Sequence, residues 1–337
     1  MASSLDSETV RSLGEAGGTG PGPQPAEGFW AGYWKSLKPL EVEEPIDVWV
    51  HRPLAYILAR ALLKTPVSPN LVTLTSIACG IMTGAALALD FRGHMPVAGA
   101  CLFLSTIFDC ADGQLARMRG TSSVFGRMLD GTADLVVSIA AVGGSIWVIW
   151  SKFHEPTWVG LVALGLCIAT AVTGSFHTTL YDHFKNVFLR MTSERHAEAE
   201  SYARARERYE NGQNRDSLGA RLVWPVYLFY VKNQEDLVRG FDPFTPTRLE
   251  LLPAYDPANA AIYRAEAGAM MRVWRNWFGF GSLMFGIAVS AAFDVLEWYM
   301  LARLIVQNGF FYGYVRPAQR RASQAAFTRM GIEVAHS

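Results

Sequence analysis

Four aspartates lie close together in the sequence FDCADGQLARMRGTSSVFGRMLDGTADLV, which is flanked by apolar residues. Asp109 and Asp112 are three residues apart, and Asp130 and Asp134 are four apart, so each pair lies on one face of a helix. Carboxylates at membrane depth are rare and mark function by default. The residues around RMRGTSS predict a short turn, so we expect the four carboxylates to converge on one pocket at the inner ends of two helices.

Such a cluster needs compensating positive charge, because like charges at close range repel each other. All-oxygen ligation without His or Cys favours hard cations, Mg²⁺ or Mn²⁺. Two ions bridged by carboxylates suit the handling of a pyrophosphate, whose charge they neutralise. Gly113 leaves room for a ligand beside Asp112, and Arg117 adds a cation suited to phosphate oxygens. The sequence therefore predicts a metal site that holds a diphosphate.

The elements that carry these residues are apolar. The chain has 337 residues, of which 50% are hydrophobic and 18% charged, with 30 basic and 30 acidic side chains. This balance argues against a nucleic-acid binder, which usually has a basic excess. The four cysteines all lie inside apolar runs, which predicts packed thiols. The apolar residues come in blocks, so we predict an all-α integral membrane protein with six transmembrane helices. The predicted spans are 71–89, 93–108, 135–151, 156–181, 276–293 and 295–315.

The loop charges predict that both termini lie inside. With the N-terminus inside, the outer loops hold only Arg92 and Lys152, and nearly all other basic residues lie on the inner side or at its edge. This distribution predicts a multi-pass protein of the cytoplasmic membrane, N-in and C-in. Residues 1–28, rich in Gly and Pro and without an apolar stretch, predict a disordered cytoplasmic tail.

Residues 29–66 are predicted to contain an amphipathic helix in the membrane interface. An apolar stripe through Trp49, Leu54 and Ile57 opposes the polar Asp47 and His51, and a bend at Pro53 is expected. A helix packed against its own protein is the alternative. Residues 67–337 form the predicted six-helix domain. Its inner segment 182–270, between the fourth and fifth helices, is too long for a plain loop. Within it, RLVWPVYLFYV is expected to lie against the membrane or the bundle.

The aspartate motif resembles a known signature. The pattern comprises Asp109, Asp112, Gly113, Ala116, Arg117, Gly126, Asp130 and Asp134. In all eight positions and their spacing it is similar to the signature of the CDP-alcohol phosphotransferase family. The segment SPNLVT, residues 68–73, resembles the Pro-Asn-x-x-Thr segment of that family. The resemblance covers about residues 45–182.

This resemblance implies a fold and an activity. Members of the family are dimers of six-helix subunits with an active site open to the cytoplasm and the bilayer. They release CMP from a CDP-linked donor by attack of an alcohol. By this likeness Asp109, Asp112 and Asp130 would ligate two divalent ions, and Asp134 would be both a ligand and the general base. The residues expected to shape the CDP pocket are Gly113, Ala116, Arg117 and Gly126, with Asn70 and Thr73 as weaker contributors.

The sequence does not decide the identity of the donor and the acceptor. Either CDP carries diacylglycerol and the acceptor is a small polar alcohol, or CDP carries a small head group and the acceptor is a lipid alcohol. A phosphorylated acceptor would need further cations, for which Lys185, Arg190 and Arg127 are candidates. Anchoring on the inner side explains these residues and Arg119 equally well. We expect His177 and His183 to be hydrogen-bonded at the interface.

Two other functions are alternatives. A cation transporter would spread its acidic residues across the membrane depth or show two repeats, whereas here all four acids lie at one end. A catalytically inactive relative would keep the motif without turnover.

Overall fold

The computed structural model describes residues 28–121, 124–194, 207, 218–247 and 251–332. These residues form helices and connecting turns with no strand among them, which confirms the all-α prediction. Helix α1, Phe29–Ser36, belongs to a first unit, and the chain from Leu37 onward forms a second. The tail predicted to be disordered lies almost wholly outside the described residues.

The second unit consists of helices and three π-helical turns among its described residues. Its first helices are α2 (Arg52–Leu62), α3 (Pro69–Ala88), α4 (His94–Arg119), α5 (Val124–Phe153), α6 (Thr157–Thr192), α7 (Leu218–Phe241), α8 (Pro257–Trp277) and α9 (Phe280–Ala292). A last helical stretch comprises α10 (Leu296–Ala302), a π-helical turn (Arg303–Gln307), α11 (Asn308–Phe310), a second π-helical turn (Phe311–Val315) and α12 (Arg316–Met330).

Four helices are long and apolar enough to cross a membrane: α3, α4, residues Met128–Phe153 of α5, and α6. They coincide with the first four predicted spans. The fifth prediction, 276–293, falls on a break, because α8 ends at Trp277 and the 13-residue helix α9 begins at Phe280. At 1.5 Å per residue α9 is about 20 Å long, short of the ~30 Å hydrocarbon core. The last two spans therefore stay predictions.

Small and polar residues hold the bundle together. The hydroxyls of Ser76 on α3 and Ser105 on α4 each donate to the other residue's carbonyl oxygen, at 2.9 and 2.8 Å. Gly99 on α4 lies against α9, where an added Cβ would be 2.4 Å from the carbonyl oxygen of Ala288. Such close backbone approach and interhelical hydrogen bonds are typical of helix packing in membranes.

The apolar stripe of the amphipathic segment is exposed in the structure. Trp49 and Ile57 are 71% and 55% exposed, whereas Ala55 and Ala59 are fully buried against α4. The π-helical turn Asp47–His51 immediately precedes α2, whose first turn contains the proline. The first turn of a helix tolerates a proline, because its N–H groups have no partner within the helix. The position in the membrane interface and the bend stay predictions.

The polar side of this segment faces the protein, not water. His51 is fully buried between the rings of Phe103 and Phe285, and its Nδ1 lies 2.8 Å from Asp47 Oδ1. The apolar stripe and the polar residues Asp47 and His51 do lie on opposite sides of the segment, as predicted. It is the side with Asp47 and His51, however, that packs on the helix bundle.

Glu44 fixes the start of α9. Its carboxylate accepts hydrogen bonds from the backbone N–H groups of Gly281 and Ser282, at 3.2 and 2.8 Å, and from the Ser282 hydroxyl at 2.8 Å. Helix N-termini favour negative charge. Burial, reinforced by the charge of Asp47, nevertheless raises the pKa of Glu44 to about 7. This contact explains why the helix is interrupted between Trp277 and Phe280.

The described part of segment 182–270 packs against both α6 and the C-terminal helix. RLVWPVYLFYV lies within α7, whereas most of the charged stretch that precedes α7 lies outside the described residues. Just after α7, the fully buried Asp242 accepts hydrogen bonds from the hydroxyls of Thr245 and Ser323, at 2.7 and 2.6 Å. These described residues are therefore a folded part of the same unit.

Candidate active site

The structure brings three of the four predicted carboxylates together. Oxygens of Asp109, Asp112 and Asp130 lie within 4.8 Å of one another. Helix α4 supplies the first two and α5 supplies the third. Between them, α4 ends at Gly120, whose φ of 64° is the left-handed conformation that stops a helix and reverses the chain. The local sequence thus sets the two helix ends side by side.

Asp134 stands beside this group and is not one of its three members. It lies one turn after Asp130 on α5. Among the neighbouring charges, that of Asp134 acts most strongly on Asp109. A carboxylate that lies beside a candidate metal site, but is not one of its ligands, is placed to accept a proton from a bound reactant.

The three-carboxylate group is built for a hard cation. All its candidate ligands are carboxylate oxygens, which suit Mg²⁺ or Mn²⁺. Asp112 is buried and Asp130 is exposed, so the group is open on one side. Mg²⁺ is characteristically bound by one or two carboxylates plus substrate phosphates, and an open side leaves room for those phosphates.

Thr73 reaches the acidic group from α3. Ser68 caps this helix by accepting from the N–H of Leu71 at 3.2 Å, which sets the direction of the following turn. One turn later the buried Thr73 hydroxyl is hydrogen-bonded to the carboxylate of Asp112. Asn70, on the same helical turn, is half-buried, and the structure shows no hydrogen bond of its side chain to a described residue. The weaker roles in CDP binding that the resemblance implies for both residues stay predictions, and the structure adds the contact of Thr73 with a carboxylate.

The remaining motif residues line the rim of the site. Arg117 is exposed, and its guanidinium lies over Gly113, where an added Cβ would be 3.2 Å from the nearest guanidinium nitrogen. Ala116 is half-buried one turn after Asp112, and the half-buried Gly126 lies one turn before the Asp130 carboxylate. Small residues therefore flank the carboxylates, as a bound nucleotide would require.

Lys38, before α2, and Arg52, the first residue of α2, are cations that the sequence analysis missed. Arg52 forms a 2.9 Å ion pair with the buried Glu43, and Glu43 also accepts from the backbone N–H of Lys38 at 3.0 Å. Burial lowers the pKa of the Lys38 ammonium, and the charge of Lys185 lowers it further. Lys38 and Lys185 are the two cations whose charges act most strongly on Asp130. The signal available in the sequence was the position of Glu43, which lies five residues after Lys38 and nine residues before Arg52.

The predicted acceptor cations occupy different situations. Lys185 Nζ lies 2.6 Å from Asp182 Oδ1. Asp182 also accepts from the amides of Asn186 and Gln234, at 3.3 and 3.4 Å, so α7 contributes to this pair. Arg190 is half-buried further along α6. The side chain of Arg127 lies outside the described residues.

Three polar side chains near the site have defined surroundings. The guanidinium of Arg119 donates to carbonyl oxygens of the turn between α2 and α3, those of Leu62, Leu63, Thr65 and Val67, at 2.5 to 3.2 Å. His183 is hydrogen-bonded to the backbone of Pro246, in line with the prediction, and its Nε2 has no partner among the described residues. His177 is buried, and neither of its ring nitrogens has a hydrogen-bond partner among the described residues, which differs from the prediction.

An all-helical membrane protein with an acidic, cation-binding type of site is thus defined. Residues 66–187 match the family model described as CDP-alcohol phosphatidyltransferase. The resemblance that the motif predicts is thus confirmed for this segment.

Individual relatives match between about a quarter and a third of the chain. The phosphatidylinositol phosphate synthase of Mycobacteroides abscessus is 35% identical over 119 residues, which are 35% of this chain and 52% of the relative. That of Corynebacterium glutamicum is 33% identical over 115 residues, 34% of this chain and 52% of the relative. A bifunctional IPC transferase and DIPP synthase of Rubrobacter xylanophilus is 39% identical over 87 residues, 24% of this chain and 19% of the relative. The chain spans about half the length of the synthases that it matches.

Proposed function

We propose that this protein transfers a phosphatidyl group from CDP-diacylglycerol to a hydroxyl of a phosphorylated polyol and releases CMP. The observation that carries this proposal is the group formed by Asp109, Asp112 and Asp130 within a complete eight-residue motif. The relatives named as phosphatidylinositol phosphate synthases support the phosphatidyl donor.

The residues divide the work of the reaction. Two divalent ions, Mg²⁺ or Mn²⁺, held by the three carboxylates would neutralise the diphosphate of the donor. Asp134 accepts the proton of the acceptor hydroxyl while that oxygen bonds to the phosphorus of the phosphatidyl group, and the bond from this phosphorus to the CMP oxygen breaks. Arg117 and the small residues Gly113, Ala116 and Gly126 hold the nucleotide end.

The cations around the site favour a phosphorylated acceptor. The charges of Lys38 and Lys185 act on Asp130, and Arg52 interacts with Asp109. Cations so close to the acidic group suit the phosphate of an acceptor. The product in the relatives' names contains a phosphorylated inositol, so inositol phosphate is the first acceptor to test. Arg190 and Arg127 stay candidates for the same role.

The proposal includes the setting of the enzyme. We propose six transmembrane helices with both termini inside, a homodimer in the cytoplasmic membrane, and an active site that faces the cytoplasm. The four clear spans and the scarcity of basic residues in the outer loops support this topology.

The test is a CMP-release assay on the purified protein in lipid. CDP-diacylglycerol is offered with inositol phosphate, glycerol phosphate, inositol or serine, and CDP-choline is offered separately with diacylglycerol. We expect release with CDP-diacylglycerol and inositol phosphate, dependent on Mg²⁺ or Mn²⁺ and abolished in Asp130→Asn. Release only from CDP-choline would overturn the donor, and CDP binding without release from any pair would identify an inactive relative.

A further inference from the structure

A groove opens between α6, α7 and the last helical stretch. Its volume is about 280 Å³, near the lower limit of ~300–1,000 Å³ typical of ligand sites. The apolar part of its wall consists of Phe176, Leu180, Leu237, Phe241, Phe311 and Tyr312. Helix α7 lies outside the segment that matches the family model, so this groove depends on a part of the chain with no counterpart in that model.

Polar groups without partners also line the groove. His177 is 1% exposed, and neither ring nitrogen is hydrogen-bonded to a described residue; the amide nitrogen of nearby Gln307 donates instead to the Trp277 carbonyl, at 2.5 Å. Arg316 has a buried Nε without a partner, and the structure shows no ion pair between Arg316 and Asp236 on the described surface of the groove. Buried polar atoms are nearly always paired in native proteins, so these groups point to an occupant.

The groove lies where the apolar part of α6 ends. Residues 157–181 of this helix carry no Asp, Glu, Lys or Arg, and the first charged residue is Asp182. The groove residues of α6 are Thr173, Phe176, His177 and Leu180. An occupant would therefore extend from the hydrocarbon region to the charged boundary, which is the position of a lipid molecule.

We propose that this groove binds one glycerophospholipid of the bilayer whose head group carries an ammonium. The acyl chain lies along the aromatic wall, and an ester carbonyl accepts a hydrogen bond from the His177 ring N–H. The phosphate pairs with Arg316 and the ammonium with Asp236. Arg316 and Asp236 have opposite charges and no ion-pair partner among the described residues, so the groove matches a zwitterionic head group better than an anionic one.

The first experiment blocks the groove. The protein is purified in mild detergent, and retained lipid is measured by native mass spectrometry after exchange with phosphatidylethanolamine or phosphatidylglycerol. Gly240 lines the groove, and an added Cβ there meets no atom within 4 Å, so Gly240→Leu should fill the space without a clash. We expect one retained phosphatidylethanolamine in the wild type and a loss of at least about tenfold in this variant.

The matched control is Gly268→Leu on α8, where a Cβ also meets open space and the gain in helix propensity is the same. It should retain the lipid. Equal retention by Gly240→Leu and the wild type would overturn the proposal.

The second experiment tests the head-group assignment. Arg316→Gln and His177→Phe should lose the lipid, and Arg321→Gln, an exposed arginine on the same helix, should not. Asp236→Asn should abolish the preference for phosphatidylethanolamine over phosphatidylglycerol. Equal retention of the two lipids by the wild type would overturn the proposal, as would displacement by CDP-diacylglycerol, because the groove would then belong to the donor site.

Discussion

The hydroxyl of Thr73 is hydrogen-bonded to the carboxylate of Asp112, which lies 39 residues later in the sequence. Both side chains are buried. The bond joins α3 to the acidic group and leaves the other oxygen of Asp112 for a cation. A partner behind a metal ligand fixes its orientation, and losing such a partner typically costs metal affinity.

Removing this hydroxyl should therefore weaken metal binding without unfolding the protein. We expect Thr73→Val, which keeps the shape of the side chain, to raise the Mg²⁺ concentration at half-maximal activity about 10- to 100-fold. Thr75→Val is the control, because the hydroxyl of the half-buried Thr75 donates to the Leu71 carbonyl of its own helix and to no other described residue. Unchanged Mg²⁺ dependence in Thr73→Val would show that the bond does not orient a ligand.

Asp134 and Asp130 should differ in the step that they support. Because Asp134 lies outside the three-carboxylate group, Asp134→Asn should abolish turnover while CDP and metal binding persist. Asp130→Asn should lose metal binding together with turnover. Calorimetric titration with Mn²⁺ and CDP separates the two. Turnover close to wild type in Asp134→Asn would remove it as the general base.

Lys38 should act on the acceptor and not on the nucleotide. Loss of one charge-assisted contact to a phosphate corresponds to about a tenfold change. We expect Lys38→Gln to raise KM for inositol phosphate about tenfold, with KM for CDP-diacylglycerol unchanged. Lys64→Gln, an exposed lysine past the end of α2, is the charge-matched control. A rise confined to the donor KM would place Lys38 at the nucleotide.

Arg119 should contribute to stability. Its guanidinium donates to four carbonyl oxygens, and one hydrogen bond to a charged group makes a net contribution of about 1.5–3 kcal/mol to stability. Contributions of bonds from one side chain do not add, because the Gln amide and water replace part of them. We expect Arg119→Gln to destabilise the protein by about 2–3 kcal/mol and to speed proteolysis in the turn 62–67. The exposed Arg272 provides the control Arg272→Gln. Thermal unfolding and limited proteolysis measure both, and a wild-type melting temperature would contradict the structural role.

Glu44 should make stability depend on pH. Burial raises its pKa from 4.5 to about 7, which corresponds to about 3 kcal/mol. Between these values the folded state binds more protons than the unfolded state, so stability falls as pH rises from about 4.5 to 7. Glu44→Gln is neutral throughout and should lack this component. Glu41 forms an exposed ion pair with Arg264, and the control variant Glu41→Gln should keep the pH dependence of stability. Parallel wild-type and Glu44→Gln profiles would refute the assignment.

The sequence predicts the acidic site well because the site depends on residues that are close together in the chain. Spacings of three and four on two helices, joined by a turn with Gly120, place Asp109, Asp112 and Asp130 together whatever the rest of the chain does. The first four spans are equally local, since composition alone decides them.

What the sequence does not predict depends on tertiary contacts. Lys38 and Arg52 lie more than 50 residues before the first motif aspartate, and only the packing of α2 on α4 brings them to it. The break before α9 follows from the cap that Glu44 provides, which hydropathy does not register. The missing partners of His177 likewise depend on which helices surround it.

The segment that carries Lys38 and Arg52 also turns Trp49 and Ile57 outward. One element thus carries two exposed apolar side chains on one side and two cations near the acidic group on the other. If its exposed face lies in the membrane interface, as proposed, a change in bilayer thickness would shift the depth of the element and the position of these charges. On the proposed activity, turnover would then respond to the thickness of the surrounding bilayer.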